Sequence, residues 1–494
     1  IAARGAELNP DFQGPVGPGT SACSVGTSDH SPAESEIRNK SEWMGMGQWA
    51  SGRPRRFFAG GEQSQLLHRR AALWLALLVP FRGYYRHPTA GAWDRPTSPR
   101  THLICSLSRR CSDMLHNLLP FIAILPSLAY SLISLWCALK YFNKNDHPAR
   151  NHRPLAVSII KPVKGMDEDS YDNFASFCCQ EYSGKLEIVF AVASPDDAAI
   201  PIIRQLRDDF TNQDIKLVIN PALHGPNQKV SNLINAFPQA GHDIIIISDS
   251  DINVEPEYLR SVTAHFADPQ IGLVTSLYRT SDVHGIATAL EATGFTAEMV
   301  PNVLVARQLE GLTFALGASM AVRREALLAI GGFEALSAYL ADDYQLGNKI
   351  HRAGWKIALD PCFVESVIKP ENLMAVLSRQ LRWARTMRVS RPGGYLASGI
   401  TLPFPAVLLA TLLAPSPAVG AAAVALLYVV RLSISTLFSR RFVRDNLFPR
   451  WLWLLPLRDM LAFFTWALSF LGNHVEWRGS RFALKPGGTI EELV

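Results

Sequence analysis

The stretch His242-Asp243-Ile244-Ile245-Ile246-Ile247-Ser248-Asp249-Ser250-Asp251 constrains the fold more than any other part of the chain. Successive side chains of a β-strand point to opposite faces, so four consecutive isoleucines need an apolar layer on both sides. That describes a central strand of a parallel sheet with helices on each face. The run stops at two aspartates spaced one residue apart, at the carboxyl end of the strand. Ligands of open α/β sheets bind just beyond such ends. Two hard carboxylates at Asp249 and Asp251 suit Mg2+ or Mn2+ carrying a diphosphate. An Asp-x-Asp pair alone is common, and a solvated acidic turn is the plain alternative; its position after a buried strand gives it weight.

From about 155 to 395, short apolar runs alternate with helical patterns, the rhythm of βαβ units. Strands are expected at Leu155–Ile160, Leu186–Val192, Ile215–Ile219, Asp243–Ser248, Ile271–Ser276 and Phe314–Val322. Helices are expected at Tyr171–Gln180, Ile200–Phe210, Lys229–Phe237 and Glu255–Phe266. Residues 150–397 thus form one α/β, nucleotide-binding domain.

Apolar segments flank it. Leu115 to Leu139 contains no Lys, Arg, Asp or Glu, and predicts a spanning helix within 114–142. Lys140, Lys144, Arg150 and Arg153 follow, which by the positive-inside rule places the α/β domain in the cytoplasm. Residues 400–476 read as two or three further helices: a short one near 402–415, one at 418–438, and Trp451–Val475. The last contains Arg458 and Asp459, adjacent charges that are costly in lipid unless paired. Residues 477–494 form a tail. Residues 1–113 are rich in Gly, Ser, Pro and Arg without a sustained period, and read as a disordered or spurious extension, with Met114 as the expected start. The seven cysteines form no metal or disulfide pattern. The net charge of +5 resides largely beside apolar runs and calls for a bilayer partner, not nucleic acid.

Three further clusters carry candidate chemistry. Asp196-Asp197 follows the second strand, where a carboxylate can accept hydrogen bonds from a nucleotide or cap a helix. Ala341-Asp342-Asp343-Tyr344 opens a helical pattern; one acid suits a cap and the other a general base for an acceptor hydroxyl. Arginine recurs at 379, 382, 385, 388 and 391, and the three-residue steps keep most of them along one side of the helix-like stretch Glu371–Val389. Such a stripe can neutralise a departing diphosphate, rest on anionic headgroups, or be a solvated face.

In this order, the motifs resemble family 2-type glycosyltransferases with a GT-A fold, and most closely the ceramide glucosyltransferase branch (family 21) with its bacterial hopanoid-biosynthesis relatives. Ser158–Gly165 looks like that branch's opening strand and turn, and Asn227-Gln228-Lys229-Val230-Ser231-Asn232-Leu233 is similar to its Asn-x-Lys-x-x-Asn-Leu motif. Gly317-Ala318-Ser319-Met320, Asp342-Asp343 and the Arg-x-x-Arg-Trp at 379–383 match further blocks, as does the tail through Glu491-Glu492. The resemblance implies an integral membrane enzyme, here of a bacterial inner membrane, that moves a hexose from a UDP-sugar to a lipid hydroxyl of ceramide or of a hopanoid polyol such as bacteriohopanetetrol. It implies nucleotide contacts at Asp197 and Asp196, a divalent metal at Asp249 and Asp251, and a general base at Asp343 beside Asp342. Arg379, Arg382 and Trp383 would hold the diphosphate and shape the acceptor site, with Lys161, Lys229 and Asn232 on the donor side. Asp251 stands where the animal enzymes carry Gly, and their His-Pro-Arg element has no counterpart around Glu298–Asn302. A processive polysaccharide synthase and a silent membrane scaffold are the rival readings.

Overall fold

The computed structural model describes residues 99–143, 154–166, 169–280, 282–369 and 371–493. What the sequence suggests for residues 1–98, and the basic residues Lys144, Arg150 and Arg153, lie outside that set. The first described helix, Pro99–Phe142, begins upstream of Met114.

Eight strands form one sheet: β1 Val157–Pro162, β2 Leu186–Val192, β3 Asp214–Ile219, β4 Ile244–Ser248, β5 Ile252–Asn253, β6 Ile271–Thr280, β7 Ser319–Arg323 and β8 Lys356–Ser366. Their order is β3-β2-β1-β4-β7-β6-β8-β5. The first four are mutually parallel. The isoleucine run behaves as its pattern demands. Ile244 and Ile246 enter the core on one face, while Ile245 and Ile247 enter the core on the other. All four are at most 2% exposed, so each contributes about 2 kcal/mol of apolar burial. The helices Ser170–Cys178, Ile200–Asp209 and Tyr258–Ala264 cover the first face, through Phe174, Ile203 and Leu259. Gln228–Ala236, Arg324–Ala329 and Asp342–Arg352 cover the second, through Leu233, Leu327 and Ile350.

The sheet is mixed, because β7 runs antiparallel to both β4 and β6. The expected strand Phe314–Val322 is shortened to Ser319–Arg323; its first half becomes the turn that carries Gly317. β8 is absent from the sequence reading. Its run Lys-Ile-Ala-Leu-Asp-Pro-Cys-Phe-Val-Glu-Ser is broken by Asp360 and Pro361. Proline offers no ladder donor, and the pairing with β6 slips between Ser276 and Tyr278 where Pro361 must be accommodated.

Strand order reverses at the β1/β4 boundary: the chain leaves β1 toward β2 and β3, then crosses back to β4. A crevice opens at the carboxyl ends there, where α/β folds bind ligands. Lys161 is the penultimate residue of β1, and Asp249 and Asp251 follow β4.

Among the described residues, two helices are long and apolar enough to cross a membrane, Asp113–Phe142 and Pro417–Val443. A pair bent by 49°, Pro392–Thr401 with Pro403–Leu412, makes a third if it crosses as one span. Within the Trp451–Val475 segment a 3-10 turn, Leu452–Leu454, leads into the 14-residue α-helix Leu455–Leu468, about 21 Å at 1.5 Å per residue. Cys137, Ala138 and Tyr141 of the first helix pack with Val303 and Leu304, with Phe438 and Phe442, and with Leu359 and Phe363 of β8. The Tyr141 hydroxyl donates to the Leu359 carbonyl at 2.9 Å. A short antiparallel sheet, β9 His474–Trp477, β10 Ser480–Leu484 and β11 Ile490–Leu493, closes the chain.

Candidate functional site

The switch-point crevice gathers the carboxylates of Asp249, Asp251, Asp342 and Asp343 with the ammonium groups of Lys229 and Lys161. Asn227 starts the helix Gln228–Ala236: its side-chain oxygen accepts from the Val230 N–H at 3.1 Å. That cap directs Lys229 inward, where it is 9% exposed. Lys229 Nζ lies 2.6 Å from Asp249 Oδ1 and 3.4 Å from Asp342 Oδ2. Burial alone would drive this ammonium down, but the two carboxylates hold it above the usual lysine range. Asn227 also grips the other motif, donating from Nδ2 to the Tyr339 carbonyl at 2.8 Å and to Asp342 Oδ1 at 3.5 Å. Two segments over a hundred residues apart in sequence therefore meet through Asn227 and Lys229. The sequence placed Asn227 in a family-like motif but gave it no role, because a cap residue carries no mark of a distant partner.

Asp342 and Asp343 open the helix Asp342–Arg352, where the positive end of the helix dipole favours carboxylates. Asp343 Oδ1 accepts the Tyr344 N–H at 2.7 Å. Burial, and then the neighbouring Asp342, push the Asp343 carboxyl up to about 6, with Lys229 pulling the other way. A base in that range accepts a proton at neutral pH without being inert. Gly317 faces it: a Cβ there would stand 2.8 Å from Asp343 Oδ2.

Asp251 lies beside β5 and the end of β8. Its carbonyl accepts the Val367 N–H at 3.0 Å, and its Oδ2 accepts from Ser366 Oγ at 3.4 Å. Burial and then Asp249 push its carboxyl up to about 6. Among the described residues, no group of three or more His, Cys, Asp or Glu side chains forms a metal cage. Two oxygen ligands supplemented by phosphate and water are nonetheless the pattern Mg2+ uses, so Asp249 and Asp251 fit a divalent ion carried with a diphosphate.

The remaining candidates are placed as follows. Lys161 is fully buried, its ammonium 3.7 Å from the Phe177 ring centre and bonded to the Asp249 carbonyl at 3.1 Å. Burial draws it down to about 7 against the pull of Asp251 and Asp249. It supports the Asp249 turn from beneath. Asn232 donates to the carbonyls of Val163 and Ala191 at 3.4 and 3.3 Å, tying the ends of β1 and β2. Asp197 fastens the facing loops: its carboxylate accepts from the Gly165 N–H at 3.1 Å and from the Ala199 N–H at 3.0 Å. Asp196 beside it is exposed.

The arginine stripe is divided among several partners on the helix Leu373–Ser390, capped by Asn372. Arg379 is engaged by Glu291, with Nε to Oε1 at 2.8 Å, and by Glu371 at 2.6 Å. Arg385 and Arg388 hold carbonyls of the Leu471–Gly472 turn, and Arg391 pairs with Glu310. Arg382 differs. Burial, then Arg379 and Arg478, pull it down to about 10, with Glu291 the carboxylate in opposition. It lines a 410 Å³ cleft with Arg385, Val475, Arg481 and Leu493. A desolvated guanidinium so placed is poised for an anion. Trp383 is 37% exposed, its ring 6.5 Å from Phe295, which in turn lies 4.9 Å from Tyr278. Burial and then Asp343, Glu291, Asp251 and Asp249 raise the Tyr278 hydroxyl, so this aromatic line bridges the carboxylates and the Arg-Trp helix.

The tail also reaches the site, an arrangement foreshadowed only by its matching motif. Gln345, one turn after Asp342, donates to the Gly487 carbonyl at 3.0 Å. Leu340 N–H donates to Gly488 O at 3.5 Å and Ile490 N–H to Ala338 O at 2.8 Å.

Comparison with known proteins identifies the family. Ceramide glucosyltransferase 3 of Caenorhabditis elegans is 25% identical over 428 residues, covering 84% of this chain and 90% of that protein. Ceramide glucosyltransferase of Candida albicans is 33% identical over 116 residues, 21% of each chain. Among solved structures, the mannosyltransferase PcManGT from Pyrobaculum calidifontis in complex with GDP-Man and Mn2+ is 18% identical, with a TM-score of 0.45 over 72% of this chain and 99% of that one. The family model for glycosyl transferase family 21 matches residues 119–490. The α/β domain with its switch-point carboxylates and flanking apolar helices is therefore that of a glycosyltransferase, and the chain belongs to glycosyl transferase family 21.

Proposed function

We propose that this protein is a membrane-bound inverting glycosyltransferase that moves a hexose, glucose or N-acetylglucosamine, from a UDP-sugar to a hydroxyl of a bilayer lipid, with ceramide the acceptor its named relatives favour. The observation that carries the reading is Asp343, a carboxyl pushed up to about 6 at a helix start, electrostatically coupled to the Lys229–Asp249 pair. In a single displacement, Asp343 removes the acceptor hydroxyl proton as that oxygen attacks the anomeric carbon, and the bond to the UDP oxygen breaks. Asp249 and Asp251 would hold a divalent ion, which when bound neutralises charge on the leaving diphosphate. Arg382 adds a desolvated cation for the same charge. Asp196 and Asp197 border the nucleotide side, and Lys161 and Asn232 keep the strand ends that form its floor. Arg379 serves by orienting the helix, and Trp383 offers a ring face to the sugar or acceptor. The catalytic domain faces the cytoplasm, which Lys140 in the last turn of the first apolar helix supports. Two apolar helices hold the enzyme where its acceptor resides, which raises the acceptor's effective concentration.

The test is sugar transfer by purified membranes, offering UDP-glucose or UDP-N-acetylglucosamine against ceramide or bacteriohopanetetrol, with and without EDTA. An Asp343→Asn variant runs alongside. Chelator-sensitive labelling of one lipid, lost in the variant, is expected. Labelling that persists in Asp343→Asn overturns the assignment of the base.

A further inference from the structure

The functional reading leaves a line of buried charge unexplained, between the Arg-Trp helix and the segment after the second apolar helix. The helix Gly285–Gly294 runs without a break into a π-helical turn, Phe295–Met299, and then into Val300–Glu310. Single π turns recur at functional sites because they re-aim side chains. Here the turn sends Phe295 toward Tyr278 and Trp383, and leaves Glu298 on the side of Arg458.

Arg458 is 6% exposed. Its guanidinium forms a fork on Glu298, with Nε to Oε1 at 2.8 Å and Nη2 to Oε2 at 2.6 Å. Its third nitrogen donates to Gln380 Oε1 at 3.2 Å. Gln380 turns its amide toward Glu291 at 3.5 Å, and Glu291, 2% exposed, is the carboxylate that grips Arg379. The line runs Glu298–Arg458–Gln380–Glu291–Arg379 without a gap. Its passage depends on a missing side chain: a Cβ on Gly294 would stand 2.7 to 2.8 Å from the Arg458 guanidinium. The next residue, Asp459, is fully buried and accepts from Arg431 Nε of the apolar helix Pro417–Leu437 at 2.8 Å. Adjacent residues thus face in opposite directions, one to the apolar helix and one to the Arg-Trp helix.

Such a line is an expensive way merely to fill space, since apolar groups of similar volume pack as well or better. What forked charge pairs provide is orientation. Residues three and four apart share a helix face, so pinning Arg379 and Gln380 fixes the rotation of the turn that carries Arg382 and Trp383. We infer that Glu298, Arg458, Gln380 and Glu291 form a positioning relay through which the membrane-side helix Leu455–Leu468 sets Arg382 and Trp383 against the donor diphosphate. The inference rests on the proposed donor role of Arg382. The helix is then part of the transfer machinery.

The experiment uses the full chain in nanodiscs and measures UDP binding with Mn2+ by calorimetry. Transfer kinetics and the thermal midpoint are followed in parallel. The variants are Arg458→Gln, Gln380→Met and Gly294→Ala, the last retaining every charge while displacing the guanidinium; Arg382→Ala is the reference. The relay predicts that all three weaken UDP about tenfold, in the direction of Arg382→Ala, whatever their thermal midpoints. Arg382→Ala weak with the three variants within twofold of the parent overturns the relay and leaves the function standing. Thermal midpoints that fall while UDP affinity holds give the line a packing role only, which overturns it equally. Parent-like UDP binding by Arg382→Ala refutes the donor role of Arg382, and the relay with it. Gly294→Ala keeps the test decisive should Arg458→Gln fail to insert.

Discussion

Lys229→Met gives the sharpest test of how the site is built. The ammonium is shared between Asp249 at 2.6 Å and Asp342 at 3.4 Å, and removing it leaves two facing carboxylates uncompensated. Breaking a buried pair from one side costs about 3–5 kcal/mol. Asp249 is 35% exposed, so water and salt screen its share, and the lower end, about 3 kcal/mol, is the expected loss of stability. The more specific consequence falls on Asp343. Lys229 is the neighbouring charge that holds this carboxyl down against burial and Asp342, and even so it rests at about 6. A general base must be unprotonated, so transfer falls as pH drops through about 6. Without Lys229 the acid limb moves to higher pH, by about one unit for each 1.4 kcal/mol of lost interaction. The assay is kcat against pH from 5 to 9 for parent and variant, in the same vesicles and with saturating metal. An acid limb unchanged, or moved to lower pH, refutes the coupling of Lys229 to the base.

Three other outcomes follow from the same geometry. Gly317→Ala places a Cβ 2.8 Å from Asp343 Oδ2 and should cut kcat at least tenfold with little change in donor KM, since a base displaced by a fraction of an ångström loses alignment; equal effects on both constants count against it. Asp343→Asn should abolish transfer yet raise stability at pH 8 by about 1–3 kcal/mol, because the folded protein holds this proton more tightly than an unfolded chain does. That gain is absent below pH 4, where both states are protonated, and grows as pH rises through 6; denaturant unfolding at the two pH values checks the sign. Arg431→Leu should destabilise the protein by about 3–5 kcal/mol by leaving Asp459 buried and unpaired, whereas Arg431→Leu with Asp459→Leu should recover most of the loss, as thermal unfolding in detergent would show.

Local pattern carried much of this. The isoleucine run made β4 a central strand, and the two acids at its end marked the crevice, since both signals depend only on adjacent residues. The helices at Gln228–Ala236 and Leu373–Ser390 and the long apolar helices were legible for the same reason: a local period or an unbroken apolar run suffices. Other features depended on partners far along the chain. β8 is a strand because β6 pairs with it and a bulge absorbs Pro361. The arginines at 379, 385, 388 and 391 look alike in sequence, yet each finds a different acceptor, while burial and like charges draw Arg382 down to about 10, a direction that Arg385 shares. Arg458 and Asp459 read as a cost to be met, and only packing revealed that Glu298 and Arg431 meet it from opposite sides. Sequence determined the first four strands, the helices between them and the two long apolar helices, because those follow from near neighbours. Tertiary structure decided which charges are paired, buried or left poised, because electrostatic energy depends on distance in space and on the exclusion of water, and neither is written along the chain.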